Sequence, residues 1–307
     1  MIDILMATYN GEEFIKEQLD SIISQSYTDW RLIISDDCSR DGTVSIIKKY
    51  QKQYPEKIIL FENDVPSGSA QNNFFNAIKY ATSDNVMFSD QDDVWFQDKI
   101  ENTFNKMIEM EKEYGKNTPV LIHTDLKVVD RSLNIINDSF FAMMNIDSNR
   151  CAFNNLLVQN IVTGCTVMGN RALFNYLEKI PKNAVMHDMW IALVASAFGK
   201  IGFVDKSTML YRQHGNNFVG AKDTKSLSYI LYKIFHAKEI HNSLLKQYKQ
   251  ADEFRAIYGG ILSEWQLSML QSYGTFEKKN FYEKYKELKK FNLFKNSNIQ
   301  ILGQIFR

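Results

Sequence analysis

The sequence predicts an α/β fold with a mostly parallel sheet, because short strands and amphipathic helices alternate through its amino-terminal third. Each apolar run typical of a strand is followed by a segment whose apolar residues recur every three or four positions, the spacing of one helix face. Such alternation produces right-handed β-α-β units with helices on both faces of the sheet. After residue 222 only helical patterns continue, which predicts a helical appendage.

The amino-terminal strands and helices follow one another in a regular order. The predicted strands span residues 2–7, 32–35, 58–61 and 86–89. The predicted helices carry these inward-facing residues: Ile15, Leu19, Ile22 and Ile23 in the first, Thr43, Ile46, Ile47 and Tyr50 in the second, and Ala70, Phe74, Ala77, Ile78 and Ala81 in the third. Polar residues come directly after three of the strands, at the sheet edge where α/β proteins bind ligands.

Beyond residue 100 the alternation loosens. The pattern predicts a helix at 97–113, strands at 120–124 and 161–168, a helix at 187–198, and strands at 202–205 and 208–212. Two domains are therefore expected, an α/β domain over residues 1–222 and a helical region over residues 223–307.

Composition bounds the function. The chain has 307 residues, 45% of them hydrophobic, which suffices for one large domain with an appendage. Its 36 basic and 36 acidic residues balance, which argues against a main function in binding nucleic acid. The balance conceals two opposite charges, because residues 223–307 hold 14 basic and 8 acidic residues, whereas residues 1–222 hold 22 and 28.

The cysteines and the amino terminus predict a cellular location. Cys38, Cys151 and Cys165 are odd in number and fit no metal-ligand spacing, as expected of buried thiols in a reducing cytosol. The chain opens without a basic leader and contains no run of about 18 apolar residues. We expect a cytoplasmic protein, or one attached peripherally to the inner face of the cell membrane.

An acidic cluster, Asp90-Gln91-Asp92-Asp93, directly follows the fourth predicted strand. Carboxylates this close repel one another unless a cation relieves them, and hard oxygen ligands suit Mg²⁺ or Mn²⁺ held together with substrate phosphates. The alternative is an acidic loop that caps the next helix through Asp93 or Asp98.

A second acidic pair, Asp36-Asp37, follows the second strand. A carboxylate at this place can accept hydrogen bonds from a nucleobase imide or a ribose hydroxyl. The alternative is turn and cap chemistry, which the following Asp41-Gly42-Thr43 also favours. The sequence has neither G-x-G-x-x-G nor a Walker lysine loop, so the dinucleotide and P-loop interpretations lose their main support.

Two histidine-containing segments complete the candidate residues. Asp188, after His187, lies at the start of a predicted helix, where free N–H groups and the helix dipole favour the ionised carboxylate. The alternative is a simple helix cap. His214 follows Arg212 closely, and the alternative to a ligand there is a packed or surface histidine.

Taken in order, five segments resemble the inverting family 2 glycosyltransferases, which have the GT-A fold. The segments are Ile4 to Glu12 (ILMATYNGE), Ser35 to Thr43 (SDDCSRDGT), Phe88 to Trp95 (FSDQDDVW), His187 to Trp190 (HDMW) and Tyr211 to Asn217 (YRQHGNN). The third and fifth are most similar to those of bacterial rhamnosyltransferases of cell-wall and capsular polysaccharide synthesis.

The resemblance implies a donor site after the first, second and fourth strands. Ala7, Thr8 and Tyr9 would line the nucleotide pocket, Asp37 would bond the pyrimidine base, and Asp90 would lie near the ribose. Cys38 stands where relatives often carry Gly or Asn.

The resemblance also implies the reacting groups. Asp92 would be the metal ligand, His214 would help to hold the metal or the diphosphate, and Asp188 would be the catalytic base. This chain has His187 where the family commonly has Glu. The acceptor side would include Gly164, His187 and Trp190.

The implied activity is metal-dependent inverting transfer of a sugar, with Mg²⁺ or Mn²⁺ as cofactor. The expected donor is dTDP-L-rhamnose, and the expected acceptor is a hydroxyl of a growing bacterial surface polysaccharide or lipid-linked glycan. The alternatives are a UDP-hexose donor, a sugar nucleotidyltransferase, and a non-catalytic carbohydrate-binding relative. A nucleotidyltransferase would need a Gly-rich triphosphate loop, which residues 8–16 do not contain.

The carboxyl-terminal region combines apolar and basic residues at helical spacing. The apolar residues of residues 226–248 are Leu227, Ile230, Leu231, Ile234 and Phe235, interleaved with Lys233, Lys238 and Lys246. Tyr282, Tyr285 and Leu288 lie among further lysines. These patterns fit packing on the catalytic domain, a homo-oligomer interface, or peripheral contact with anionic lipid.

Overall fold

The computed structural model describes residues 1–179, 181–214 and 237–306. Its strands are β1 (Ile2–Thr8), β2 (Trp30–Asp36), β3 (Ile58–Glu62), β4 (Asn85–Ser89), β5 (Val94–Trp95), β6 (Val120–Val129), β7 (Ile135–Asn137), β8 (Met168–Asn170) and β9 (Lys200–Arg212). Its α-helices are α1 (Ile15–Ile23), α2 (Thr43–Gln53), α3 (Ala70–Ile78), α4 (Lys99–Tyr114), α5 (Phe140–Met144), α6 (Phe153–Val158), α7 (Arg171–Phe174), α8 (His187–Phe198), α9 (Ala237–Tyr258), α10 (Glu264–Gly274), α11 (Phe281–Phe291) and α12 (Asn298–Phe306).

Contacts divide the described chain into two units. The first contains Met1–Phe140, Val162–Tyr176 and residues 198–214. The second contains Phe141–Ile161, residues 177–179, residues 181–197 and residues 237–306.

One mixed sheet forms the centre of the first unit. Its strand order is β3-β2-β1-β4-β8-β6-β9-β5, with β7 beside β6. The strands β1 to β4 are parallel neighbours, as are β6 and β9, whereas β8 runs antiparallel to both β4 and β6. The alternating sequence pattern therefore predicted the mostly parallel sheet correctly.

The register of β1 sets the position of the polar loops. Its Ile4, Leu5 and Met6 are fully buried, as expected of a central parallel strand with helices on both faces. Thr8 pairs with Asp36 of β2, and Met6 pairs with Ser89 of β4. The carboxyl ends of β1, β2 and β4 therefore lie side by side, and so do the polar segments that follow them.

Two predictions beyond residue 100 are corrected by the structure. The predicted strand at 161–168 is wrong: Gly164–Thr166 form a short 3-10 helix, and strand pairing begins only at Met168. Burial against β4 and β6, rather than strand geometry, explains the apolar run. The two strands predicted at 202–205 and 208–212 are one strand, β9, which changes register against β6 around Asp125.

The carboxyl-terminal part of the second unit is helical, as predicted. Helices α10 and α11 both begin with capping boxes, formed by Ser263 with Gln266 and by Asn280 with Glu283. None of the described helices is long and apolar enough to cross a membrane. The predicted boundary at residue 222, and the tail residues 226–235, lie outside the described residues, so both stay predictions.

Candidate active site

The loops after β1 and β4 are joined by the side chain of Gln91. Its amide accepts a hydrogen bond from the Tyr9 backbone N–H at 2.9 Å and donates one to the Tyr9 carbonyl at 3.0 Å. Gly11 makes this approach feasible, because a Cβ there would lie 2.3 Å from the Gln91 Oε1 atom. The structure thus brings Tyr9 to the acidic cluster, and its place in a nucleotide pocket stays a prediction.

The loops after β1 and β2 are joined by a second set of side-chain bonds. Asn10 donates its backbone N–H to Ser39 Oγ and accepts the Arg40 N–H on its side-chain oxygen, both at 2.9 Å. The Gly42 N–H donates to the Glu12 carboxylate at 2.7 Å. These bonds hold the two polar loops against each other.

The acidic pair after β2 has two different partners. Asp36 accepts bonds from Thr8 Oγ1 at 2.8 Å and from the Ser39 N–H at 2.8 Å, so it ties two strand ends together. Asp37 accepts bonds from the hydroxyl of Ser67 at 2.9 Å and from the Asn63 amide at 3.1 Å. Asp37 therefore holds the loop between β3 and α3, whatever else it binds.

Asp92 and His214, the two predicted metal-site residues, lie together. The His214 Nε2 and Asp92 Oδ2 atoms are 2.6 Å apart, and both side chains are largely buried. This hydrogen bond raises the pKa of His214 above its ordinary value. The imidazole also packs on the Phe14 ring, with the ring centroids 4.9 Å apart.

Arg212, which sequence reasoning did not select, fixes this pair in position. Its backbone N–H donates to Asp93 Oδ1 at 3.1 Å, and its guanidinium donates to the Asp92 carbonyl at 2.9 Å. The guanidinium also pairs with Glu17 and lies 4.6 Å from the centroid of Phe14. One buried arginine thus connects α1, the acidic loop and the end of β9.

A buried cluster lies beneath the acidic loop. Asp93 is fully buried, and its burial, with the nearby Asp92 and Asp90 carboxylates, raises its pKa well above the ordinary value. Ligand atoms of Asp90, Asp93 and Cys165 lie within 4.8 Å of one another. Lys99, also fully buried, hydrogen-bonds Thr208 Oγ1 at 3.2 Å, and burial lowers its pKa to about 8.

The donor atoms present fit a divalent cation. The Asp92 oxygen and the His214 nitrogen are of the kinds that Mg²⁺ or Mn²⁺ accept, and they already lie close enough to serve one ion. Cys165 is a poor candidate ligand, because burial raises the pKa of its thiol and a hard cation prefers oxygen. Asp92 and His214 are therefore the residues that would hold the metal, whereas the Asp90 carboxylate groups with Asp93 and Cys165.

The predicted acceptor-side residues fall in both units. Gly164, in the first unit, opens the 3-10 helix that carries Cys165 to the buried cluster. Asp188, in the second unit, lies in the first turn of α8 as predicted and is half-buried. Its side chain accepts the Met189 N–H at 2.6 Å.

The neighbours of Asp188 on α8 are buried. Burial lowers the pKa of His187 to about 3, so this imidazole is neutral at physiological pH. Trp190 is fully buried, and its ring packs on Phe254 and Tyr258 of α9 at centroid distances of 5.2 Å and 6.1 Å. The acceptor role of His187 and Trp190 stays a prediction, which their burial does not favour, whereas the packing of Trp190 anchors the helix that carries Asp188.

Sequence reasoning missed Gln91, Arg212 and Lys99. Each acts through a partner far away in sequence, which no local spacing reveals. Of these three residues, only Arg212 could have been selected from the sequence. It lies between an apolar strand and His214, and burying a guanidinium there is costly unless a carboxylate pairs with it.

Comparisons with known proteins agree on one family. The family model described as Glycosyl transferase family 2 matches residues 3–174. The dTDP-rhamnosyl transferase RfbG of Shigella flexneri is 34% identical over 229 residues, which cover 70% of this chain and 74% of that protein.

Solved structures are similar in fold. TarS 1–349 of S. aureus, in complex with UDP-GlcNAc, gives a TM-score of 0.55 at 15% identity and covers 94% of this chain and 80% of that one. Mannosyltransferase PcManGT of Pyrobaculum calidifontis, in complex with GDP-Man and Mn²⁺, gives a TM-score of 0.54 at 17% identity and covers 99% of this chain and 83% of that one. These likenesses confirm the predicted fold class.

Proposed function

This chain belongs to glycosyl transferase family 2, and we propose that it is a metal-dependent inverting enzyme of bacterial surface polysaccharide synthesis. The observation that carries the proposal is the Asp92–His214 pair, held at the ends of strands β4 and β9 by Arg212. A carboxylate and an imidazole locked together beside further acids form a site for a cation and the diphosphate that it neutralises.

The proposed donor is dTDP-L-rhamnose. Its support is the 34% identity to a protein named as a dTDP-rhamnosyl transferase, together with the two motifs that resemble rhamnosyltransferases. A UDP-hexose is the alternative donor. The nucleotide would lie along Ala7, Thr8 and Tyr9, with its base near Asp37 and its ribose near Asp90.

In the proposed catalytic step, Asp188 is the general base. Its carboxylate takes the proton of an acceptor hydroxyl as that oxygen attacks the anomeric carbon opposite the leaving diphosphate, which inverts the configuration. The start of α8 favours the ionised form of Asp188. A carboxylate is a weak base for an alcohol, so the proton moves late and positioning supplies much of the rate.

The leaving diphosphate would be stabilised by residues of the first unit. A divalent cation bound at Asp92 would neutralise the negative charge that develops on the diphosphate. When no metal occupies its ring nitrogen, His214, whose pKa is raised, is instead a cationic or hydrogen-bond donor group beside the same position.

The proposed acceptor is a hydroxyl of a growing glycan or lipid-linked glycan. The proposed location is the cytoplasm, with peripheral contact at the inner face of the membrane through residues 223–307. A homo-oligomer through the same region is the alternative.

A panel of nucleotide sugars tests the proposal. We expect metal-dependent release of nucleoside diphosphate from dTDP-L-rhamnose, faster than from UDP-glucose or UDP-GlcNAc. Asp188→Asn should lower transfer by about a thousandfold or more while donor affinity, measured by calorimetry, stays unchanged. Glu109→Gln, at an exposed position on α4, is the matched control.

Three results would contradict parts of the proposal. Full transfer by Asp188→Asn would remove this residue from the mechanism. Turnover of UDP-hexoses alone would replace the donor, whereas the absence of turnover with every donor would favour a non-catalytic relative.

A further inference from the structure

The last two helices of the second unit expose an aromatic face. On α11, Phe281 is 62% exposed, Tyr282 67% and Tyr285 47%. On α12, Leu302 is 53% exposed and Phe306 70%. These five residues are called the aromatic face below.

Ring stacking joins the exposed residues of the two helices into one surface. The rings of Phe281 and Phe306 are nearly parallel, at 13°, with centroids 6.3 Å apart. Tyr285 lies one turn beyond Phe281 on α11, and Leu302 lies one turn before Phe306 on α12. The aromatic face therefore runs continuously from one helix to the other.

This face is not the core side of α11. The helix already buries Lys284, Leu288 and Phe291 along an adjoining stripe, so the exposed rings are not its core contacts. Soluble monomers rarely leave several large apolar side chains exposed together, and such a patch marks a binding surface. An occupant of the aromatic face must therefore be sought outside the described residues.

The charges around the aromatic face are mostly positive. Lys286, Lys289 and Lys290 of α11 are all exposed, and Lys289 continues the line of Phe281 and Tyr285 at four-residue spacing. The two glutamates of the helix are engaged elsewhere: Glu283 accepts the Asn280 N–H in the capping box, and Glu287 accepts the Ser272 hydroxyl. Residues 296–306 contain no charged side chain.

We propose that the aromatic face and the lysines beside it dock on the surface of an anionic lipid bilayer. Aromatic rings of this kind lie at the boundary between lipid headgroups and acyl chains, and lysines on the same surface contact the lipid phosphates. This proposal rests on the peripheral membrane contact proposed above and names the surface that would make it. It concerns lipid binding, which does not depend on the donor or on sugar transfer.

Charge favours lipid over a second copy of the chain. A two-fold interface places the same surface on both sides, so the exposed lysines of the two copies would be crowded together. Anionic headgroups instead neutralise these lysines while the rings leave water.

Co-sedimentation of the full chain with vesicles tests the proposal. We expect binding to phosphatidylcholine vesicles that contain phosphatidylglycerol, no binding to phosphatidylcholine alone, and release by high salt. Phe281→Ser with Phe306→Ser, and separately Lys289→Gln with Lys290→Gln, should each weaken binding at least tenfold. The altered side chains are exposed, so the Tm of both variants should stay near that of the unchanged protein.

Matched controls lie elsewhere in the second unit. Ile261→Ser changes an exposed apolar residue off the aromatic face, and Lys246→Gln with Lys249→Gln removes two exposed lysines of α9. Both controls should bind anionic vesicles like the unchanged protein.

Three outcomes of the vesicle experiment would overturn the proposal, and one measurement of the oligomeric state would also overturn it. The three outcomes are equal binding to neutral and anionic vesicles, no binding to either, and equal loss in the control variants. A dimer that Phe281→Ser with Phe306→Ser converts to monomer, without any lipid effect, would assign the aromatic face to a second copy. Failure of sugar transfer would leave the vesicle result untouched, because the vesicles carry no donor or acceptor.

Discussion

The loops at the carboxyl edge of the sheet and the aromatic face of the second unit are built in opposite ways. In the loops, several polar side chains are held by partners far away in sequence, as Gln91 is by Tyr9 and Arg212 by Glu17. On the aromatic face, large side chains are exposed, and among the described residues one ring contact, between Phe281 and Phe306, joins the helices. The side chains of the proposed active site are thus held in place without a ligand, whereas those of the proposed docking surface are exposed and can contact a partner.

The largest expected effect in the loops follows loss of the Asp92 carboxylate. Asp92→Ala removes a proposed metal ligand and leaves His214 without its 2.6 Å partner. We expect metal-dependent donor affinity to fall by at least about 100-fold, because even residues that only support metal ligands cost 10–100-fold. Calorimetry with and without Mn²⁺ measures the effect, and equal donor affinity under both conditions would defeat the assignment.

Loss of Arg212 should have the second-largest effect. It should lower the stability of the fold, whereas loss of a lysine beside the aromatic face should not. Arg212→Ala removes the guanidinium bonds to the Asp92 carbonyl and to Glu17, together with the contact on Phe14. We expect the free energy of unfolding to fall by about 2–4 kcal/mol. Lys286→Ala, on the exposed surface of α11, should change it by less than about 0.5 kcal/mol.

A positioning role for Arg212 has its own readout. If Arg212 holds the acidic loop against His214, the pKa of His214 measured by NMR should move toward 6.5 in Arg212→Ala, and Arg212→Lys should restore it only in part. An unchanged His214 pKa together with lower stability would reduce Arg212 to a packing role.

A smaller effect is expected where Gly11 admits the Gln91 amide. A Cβ on residue 11 would displace this flexible side chain and break both of its bonds to Tyr9. Gly11→Ala and Gln91→Ala should each cost about 1–2 kcal/mol and raise the donor KM. The double variant should cost little more than either change alone, and strict additivity of the two costs would mean that Gly11 and Gln91 act independently.

The same contrast explains what could be predicted from the sequence. Periodicity is local, so it predicted β1 to β4, α1 to α3 and α8 correctly, but it missed the two-residue strand β5. It failed at 161–168, because burial against two strands gives an irregular segment the same apolar composition as a strand. The pairing of Asp92 with His214 required a resemblance to indicate it, and Gln91 and Arg212 depend on sheet order, which no single segment encodes.

The smallest predicted effect is a pH dependence confined to the loops. Asp92 raises the pKa of His214 in the folded chain. The stabilisation from this pair is therefore complete below the unfolded-state pKa of about 6.5 and is lost as pH rises through the higher folded-state pKa. Without metal, the Tm advantage of the unchanged protein over His214→Gln should shrink by roughly 2 °C between pH 6 and pH 9. Phe281→Ser is the control: its Tm difference from the unchanged protein should not depend on pH, because no ionisable group changes there. If the Tm difference of His214→Gln were also independent of pH, the Asp92–His214 bond would not depend on an imidazolium.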